Sequence, residues 1–172
     1  SIYELALVLR EQGEFARSEE LYTICVDFHR NIGDQEGMHS ALLGLGDIAR
    51  DKGDVAGVMQ YSELCLEFYR ELGVQWAIGF ALHNLAYGCY LDDNLQQASN
   101  LITDSVALFR QLRDSGGLAE VLVTYGHILR NQKNLDSAID ALLEALQLAR
   151  VVGPRLIIAA TLEAIASVQV YK

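Results

Sequence analysis

The chain has 172 residues, 51% hydrophobic and 21% charged, with a formal net charge of −10 and a single proline. This composition excludes a disordered chain, and the acidic balance speaks against nucleic acid or an anionic membrane surface as a direct partner, because both need clustered Lys and Arg. No apolar run approaches the ~18 residues of a membrane span, the start lacks the basic residues and cleavage site of a secretory leader, and with no initiating Met the sequence reads as part of a longer cytoplasmic protein.

Hydrophobic spacing predicts nine helices, at about 1–11, 15–31, 35–51, 55–71, 75–91, 95–112, 115–131, 135–151 and 155–170. Gly13-Glu14 closes the first, and Gly33 closes the second. The third places Leu42, Leu45 and Ile48 on one face, with Gly46 among them where a partner helix would approach closely. Gly53 then supplies a left-handed end, and Asp54 a cap for the next helix. The fourth presents Val58, Tyr61, Cys65, Leu66 and Phe68, and stops at Gly73. The punctuation returns at Asp93-Asn94 and Lys133-Asn134, and Gly153-Pro154 separates the last two helices.

Those breaks share an interval. Shifting the chain against itself by forty residues aligns Leu5, Leu45, Leu85, Tyr125 and Ile165, and likewise Ala6, Gly46, Ala86, Gly126 and Ala166. Gly33, Gly73 and Gly153 form a third column, broken by Arg113. The expectation is one repeat domain with units at about 1–39, 40–79, 80–119 and 120–159 and a partial fifth at 160–172. A helix–turn–helix unit cannot bury its faces alone, so such units stack on a shared core and curl into a superhelix. Arg30, Arg70, Arg110 and Arg150 also align, each in the last turn of a second helix, where a cation offsets the helix dipole. A ladder for phosphate or carboxylate is the alternative for that column.

At this point the chain resembles a tetratricopeptide repeat (TPR) array. The resemblance rests on Leu42, Leu45-Gly46, Gly53-Asp54 and Cys65 in the second unit, and on Leu122, Tyr125-Gly126, Asn134, Ala138 and Ala145 in the fourth. It implies an all-α fold of TPR-like hairpins stacked as a right-handed superhelical solenoid. The forty-residue unit is similar to repeats in large bacterial signal-transduction ATPases and ATP-dependent transcription regulators of the maltose-activator type, and also to those of eukaryotic adaptors that orient the spindle. The third unit departs from the pattern, with Ala86 in place of Gly and Asp93-Asn94 in place of Gly-Asp, and Gly57-Val58 replaces the small pair in the second.

No catalytic or metal constellation is legible. His29, His39, His83 and His127 lack HExxH or i, i+4 spacing, and no phosphate loop occurs. No cofactor is expected. Cys25, Cys65 and Cys89 read as buried reduced thiols. The resemblance implies that the first helix of each unit lines a concave groove. It places Tyr3, Leu7, Arg10, Leu43, Asp47, Arg50, His83, Asn84, Tyr87, Tyr90, Val123, Thr124, His127, Arg130 and Asn131 there. Among them Asp47, Arg50, His83, Asn84, Tyr87, Tyr90, His127, Arg130 and Asn131 are the candidate partner-binding residues, since Tyr, Arg and Asn combine contact area with directed hydrogen bonds.

The expected function is a non-catalytic protein-interaction scaffold of a larger regulatory protein, with a partner peptide or helix in the groove. The alternatives are an effector-sensing module that binds a small molecule for an ATP-dependent transcription regulator, and a spacer without a ligand. Because Leu156, Ile157, Leu162 and Ile165 cannot all pack on the preceding helix, self-association through the C-terminal helix is expected as well.

Overall fold

The structure, a computed structural model, describes residues 1–152 and 155–169. Among the described residues it consists of nine α-helices and no strand: α1 (Ile2–Glu11), α2 (Phe15–Ile32), α3 (Gln35–Lys52), α4 (Val55–Leu72), α5 (Gln75–Leu91), α6 (Leu95–Leu112), α7 (Ser115–Asn131), α8 (Leu135–Val152) and α9 (Arg155–Gln169). The expected helix boundaries agree to within one residue, because each helix ends at a residue that leaves the helical region of backbone space. Gly13, Gly33, Gly53 and Gly73 take φ of 79°, 75°, 72° and 75°, and the same place is filled by Asp93, Arg113 and Lys133 at 59°, 55° and 64°. The backbone thus turns in the left-handed region after each of α1 to α7. At three later joints it does so without glycine, against a steric cost of about 1–2 kcal/mol each. Gly153-Pro154 lies outside the described residues.

The capping residues satisfy orphan amides as expected at Asp54, Asn94 and Asn134. Glu14 does not: its carboxylate takes a hydrogen bond from Arg17 and caps nothing. The helical hairpins run 35–72, 75–112 and 115–152, so unit boundaries near residues 40, 80 and 120 would cut α3, α5 and α7. Self-comparison of a sequence yields a period but no phase, and the joints, one every twenty residues, confine the unit ends to the gaps between helices.

Each helix packs on its neighbours in sequence, and the odd-numbered helices also pack on one another, α1 on α3, α3 on α5, α5 on α7 and α7 on α9. The odd-numbered helices therefore form the inner layer of the stack. Two groups of buried apolar side chains, one around Tyr22, Leu45 and Cys65 and one around Phe109, Ile128 and Leu142, are joined by Met59, Phe80 and Leu101, which touch both. The core is continuous along the stack, as a repeat array requires. Leu45 and Leu85 are buried, whereas Leu5, in the same column, is 50% exposed because only α2 and α3 pack on α1.

Close approach of helices falls partly where the sequence indicated. A Cβ at Gly126 would meet Leu142 Cγ at 2.6 Å, and one at Gly44 would meet the Tyr22 ring at 2.5 Å. At Gly46, in the same column as Gly126, the nearest atom is Ser62 Oγ at 3.4 Å, an ordinary contact, so this position has room for Ala, the residue found at Ala6 and Ala86. The four aligned arginines sit exposed in the last turns of α2, α4, α6 and α8. Arg30 pairs with Asp27 in its own helix, and Arg110 with Glu144 on the next hairpin, so surface ion pairing and the helix dipole account for their place.

Candidate functional site

The inner layer encloses a cleft of about 490 Å³. All five odd-numbered helices line it, from Arg10 on α1 to Ile157 and Ala160 on α9. Its floor is a network of charged and amide side chains. Arg10 donates from Nη1 to Asp47 at 2.9 Å and from Nε to Asp51 at 2.7 Å. Arg50 donates from Nη1 to Asn84 Oδ1 at 2.9 Å and from Nη2 to Glu120 Oε1 at 2.7 Å. Asn84 in turn donates to Asp47 Oδ1 at 2.8 Å. Glu120 on α7 therefore reaches Arg50 on α3 across α5, and its Oε1 also lies 4.0 Å from Nη2 of Arg10 on α1. These contacts across the concave side link α3 to α7 and bring α1 close to both.

Burial makes this network exacting. The side chain of Arg50 is 9% exposed and that of Arg10 16%. Desolvation works against both guanidiniums, but the Asp47 and Asp51 carboxylates, and above all Glu120 for Arg50, outweigh it and raise both pKa values. His83, 1% exposed, sits between Arg50 Nη1 at 3.1 Å from Nδ1 and Thr124 Oγ1 at 2.8 Å from Nε2. A guanidinium can only donate, so Nδ1 accepts, and Nε2 carries the proton and donates to Thr124. Burial first, and Arg50 second, hold the imidazole neutral with a pKa well below 6.5. Burial, with Arg130 adding to it, also lowers the pKa of His127. Tyr87 is pushed up, chiefly by burial. The thiols of Cys25, Cys65 and Cys89 are buried and unpaired, and burial raises the Cys65 thiol to about 12, which keeps it protonated and unreactive.

The nine candidate residues separate into three groups. Asp47, Arg50, His83 and Asn84 belong to the floor network, and His83 and Asn84, at 1% and 0% exposed, are buried where the groove assignment had them facing a partner. Tyr87 and His127 line the cleft itself and are half-buried. Tyr90, Arg130 and Asn131 do not line it, and Arg130 and Asn131 line a second, smaller cavity with Asp93, Leu95, Lys133 and Leu135. Arg130 donates to Ser167 Oγ on α9 at 2.7 Å and to the Tyr90 hydroxyl at 3.5 Å, while the Tyr90 ring centroid lies 6.0 Å from that of Tyr87 and 6.5 Å from that of His127. Leu43 and Thr124, also assigned to the groove surface, are buried. Asp51 and Glu120 escaped the sequence reading. The available signal was a second arginine column, Arg10, Arg50 and Arg130, interrupted by Tyr90, along the inner helices, of which Arg10 and Arg50 take carboxylate partners and Arg130 takes Ser167 and Tyr90.

Comparison with known proteins adds to this geometry. The family profile described as Tetratricopeptide repeat matches residues 119–151, which span most of α7 and α8. A comparison with curated proteins finds no match. Among solved structures the chain is similar to BtubC (BKLC) from P. vanneervenii, with 18% identity and a TM-score of 0.71 over 97% of this chain and 70% of that one. It is similar to the apo form of RapI, with 13% identity and a TM-score of 0.70 over 93% of this chain and 45% of that one. It is also similar to the TPR-like repeats of a putative kinesin light chain from Podosopora anserina, with 15% identity and a TM-score of 0.66 over 98% of this chain and 93% of that one. Likeness at these identities bears on the fold alone. Helix pairing, the matched repeat and these likenesses agree that the chain is an all-α, right-handed superhelical solenoid of TPR-like helix–turn–helix repeats.

Proposed function

We propose that the chain is a non-catalytic binding module of a larger regulatory protein in a reducing, cytoplasmic setting, and that its concave cleft holds a segment of a partner protein. The observation that carries this reading is the cleft itself: about 490 Å³, lined from five helices, with half-buried Tyr87 and His127 over a floor whose polar groups already have partners. A floor of that kind is rigid, and an aromatic and imidazole rim above it offers contact area with hydrogen-bonding edges. Catalysis is disfavoured because both ring nitrogens of His83 are engaged and the thiols are held protonated. The cleft volume also falls within the ~300–1,000 Å³ range of small-molecule sites, which supports the second reading, an effector-sensing module.

The test is capture of a partner from cell extract by wild-type protein and by single variants. Tyr87→Ala and His127→Ala should each weaken capture by roughly 1–3 kcal/mol, on the scale of interface hot spots, with unchanged helical circular dichroism. Arg70→Ala, exposed near the end of α4, should leave it unchanged. Leu85→Ala, in the buried neighbour of these residues, should instead cost about 2–5 kcal/mol of stability. Equal capture by both cleft variants and wild type would remove the cleft from the function. Competition by a small metabolite, with no protein retained, would favour the effector reading.

A further inference from the structure

The charge arrangement of the cleft points to one kind of occupant. Two guanidiniums, Arg10 and Arg50, face the cleft, and their nitrogens are directed at acceptors within the chain: Asp47 and Asp51 for Arg10, and Asn84, His83 and Glu120 for Arg50. Four carboxylates stand against them, Glu11, Asp47, Asp51 and Glu120, while His83 and His127 are held neutral. The four carboxylates thus exceed the two guanidiniums by two negative charges. Glu120 uses only Oε1 toward the arginines, and its side chain remains 30% exposed to the cleft. Glu11 stands exposed at the rim, on the end of α1.

The cleft also has apolar lining, from Val123 of α7 with Ile157 and Ala160 of α9, beside the ring of Tyr87. An anionic ligand would have to displace Asp51 or Glu120 from a buried guanidinium, which leaves a carboxylate unpaired in a poorly solvated site. A wholly apolar ligand would cover the second oxygen of Glu120, which takes no part in the pair with Arg50, and cost that oxygen its hydration. A cationic head on an aliphatic stem meets neither penalty. The head answers the surplus negative charge at Glu120 and Glu11, the stem lies on Val123 and Ile157, and the Tyr87 ring offers its face to the cation. The cleft volume corresponds to roughly sixteen waters at about 30 Å³ each, which is room for a long side chain and its flanking backbone.

We propose that the concave cleft receives a lysine or arginine side chain of a partner peptide, with Glu120 and Glu11 as the residues that select for positive charge. This rests on the reading of the cleft as a peptide-binding site and adds the chemistry of the residue it takes. It is consistent with the net charge of −10, which draws basic segments toward the protein.

The experiment uses the whole chain and four matched fluorescent heptapeptides, blocked at both ends, with a central Arg, Lys, Gln or Glu between leucines. Binding is followed by fluorescence polarisation at about 25 and 150 mM salt, ionic strengths at which screening differs substantially. The Arg and Lys peptides are expected to bind at least tenfold more tightly than the Gln peptide at low salt, and the Glu peptide most weakly. Glu120→Gln keeps an oxygen for Arg50 and should erase most of the Arg-over-Gln preference. Glu11→Gln, at an exposed position, should reduce it. Equal binding of the Arg and Gln peptides, preference for Glu, or no binding by any peptide would overturn the proposal. Loss of binding for every peptide in Tyr87→Ala, without charge preference in the wild type, would retain the cleft as the site and reject its charge selectivity. Binding unaffected by Tyr87→Ala would instead reject the cleft.

Discussion

The neutral state of His83 makes a quantitative prediction. Its imidazole is 1% exposed and accepts from Arg50, so a proton gained at Nδ1 would set a cation against a buried guanidinium 3.1 Å away. The folded chain therefore binds that proton far more weakly than the unfolded chain, whose histidine titrates near 6.5. For a group whose folded pKa is depressed, the stabilisation is fully present above the unfolded pKa and is lost as pH falls below it. The limiting slope for one proton is about 1.4 kcal/mol per pH unit, so lowering the pH from about 6.5 to 5 removes up to about 2 kcal/mol. His127, with its pKa also lowered by burial, acts in the same direction. Urea unfolding followed by circular dichroism at pH 7.5 and pH 5, for wild type and His83→Gln, isolates the effect of His83. Gln supplies an acceptor and a donor but takes up no proton in this range. Wild type should lose up to about 2 kcal/mol more than the variant between the two pH values. The same pH-dependent loss in both proteins would refute the assignment of a neutral, guanidinium-bound imidazole.

Two further outcomes are expected. Arg113 closes α6 at φ 55°, where glycine is free of the Cβ clash, so Arg113→Gly should raise stability by about 0.5–1 kcal/mol in the same urea assay, and a decrease would show that the Arg113 side chain contributes more than its backbone strain costs. On α9, Ile157 and Ile165 pack against the core, Leu162 is 51% exposed, and the side chain of Leu156 lies outside the described ones. Light scattering should show mass rising with concentration and reverting in Leu162→Glu, and a concentration-independent monomer mass would refute self-association through this helix.

Local rules explain what the sequence by itself determined. Helix limits, the twenty-residue spacing of left-handed joints and the buried columns at Leu45 and Leu85 follow from short-range backbone sterics and from apolar periodicity, both readable one segment at a time. The same holds for the burial of the three thiols. The phase of the repeat was not readable, because a period constrains spacing and leaves the starting point open. Neither was the distinction between Gly46, which has room for a methyl group, and Gly44 and Gly126, which do not: that depends on which side chain the facing helix presents. The cleft lay furthest from local reading. The resemblance to tetratricopeptide repeats put Tyr87, Tyr90, His127 and Arg130 on adjacent inner helices, and they do lie together. His83 and Asn84 were assigned to the same surface, yet they are buried by Arg50, Thr124 and Asp47, which come from two other helices. Glu120 reaches Arg50 at a separation of 70 positions in the chain, a contact that depends on the curvature of the stack. Curvature accumulates from small rotations between every pair of stacked hairpins, so no single segment encodes it, and only the assembled stack decides which charges meet across the groove.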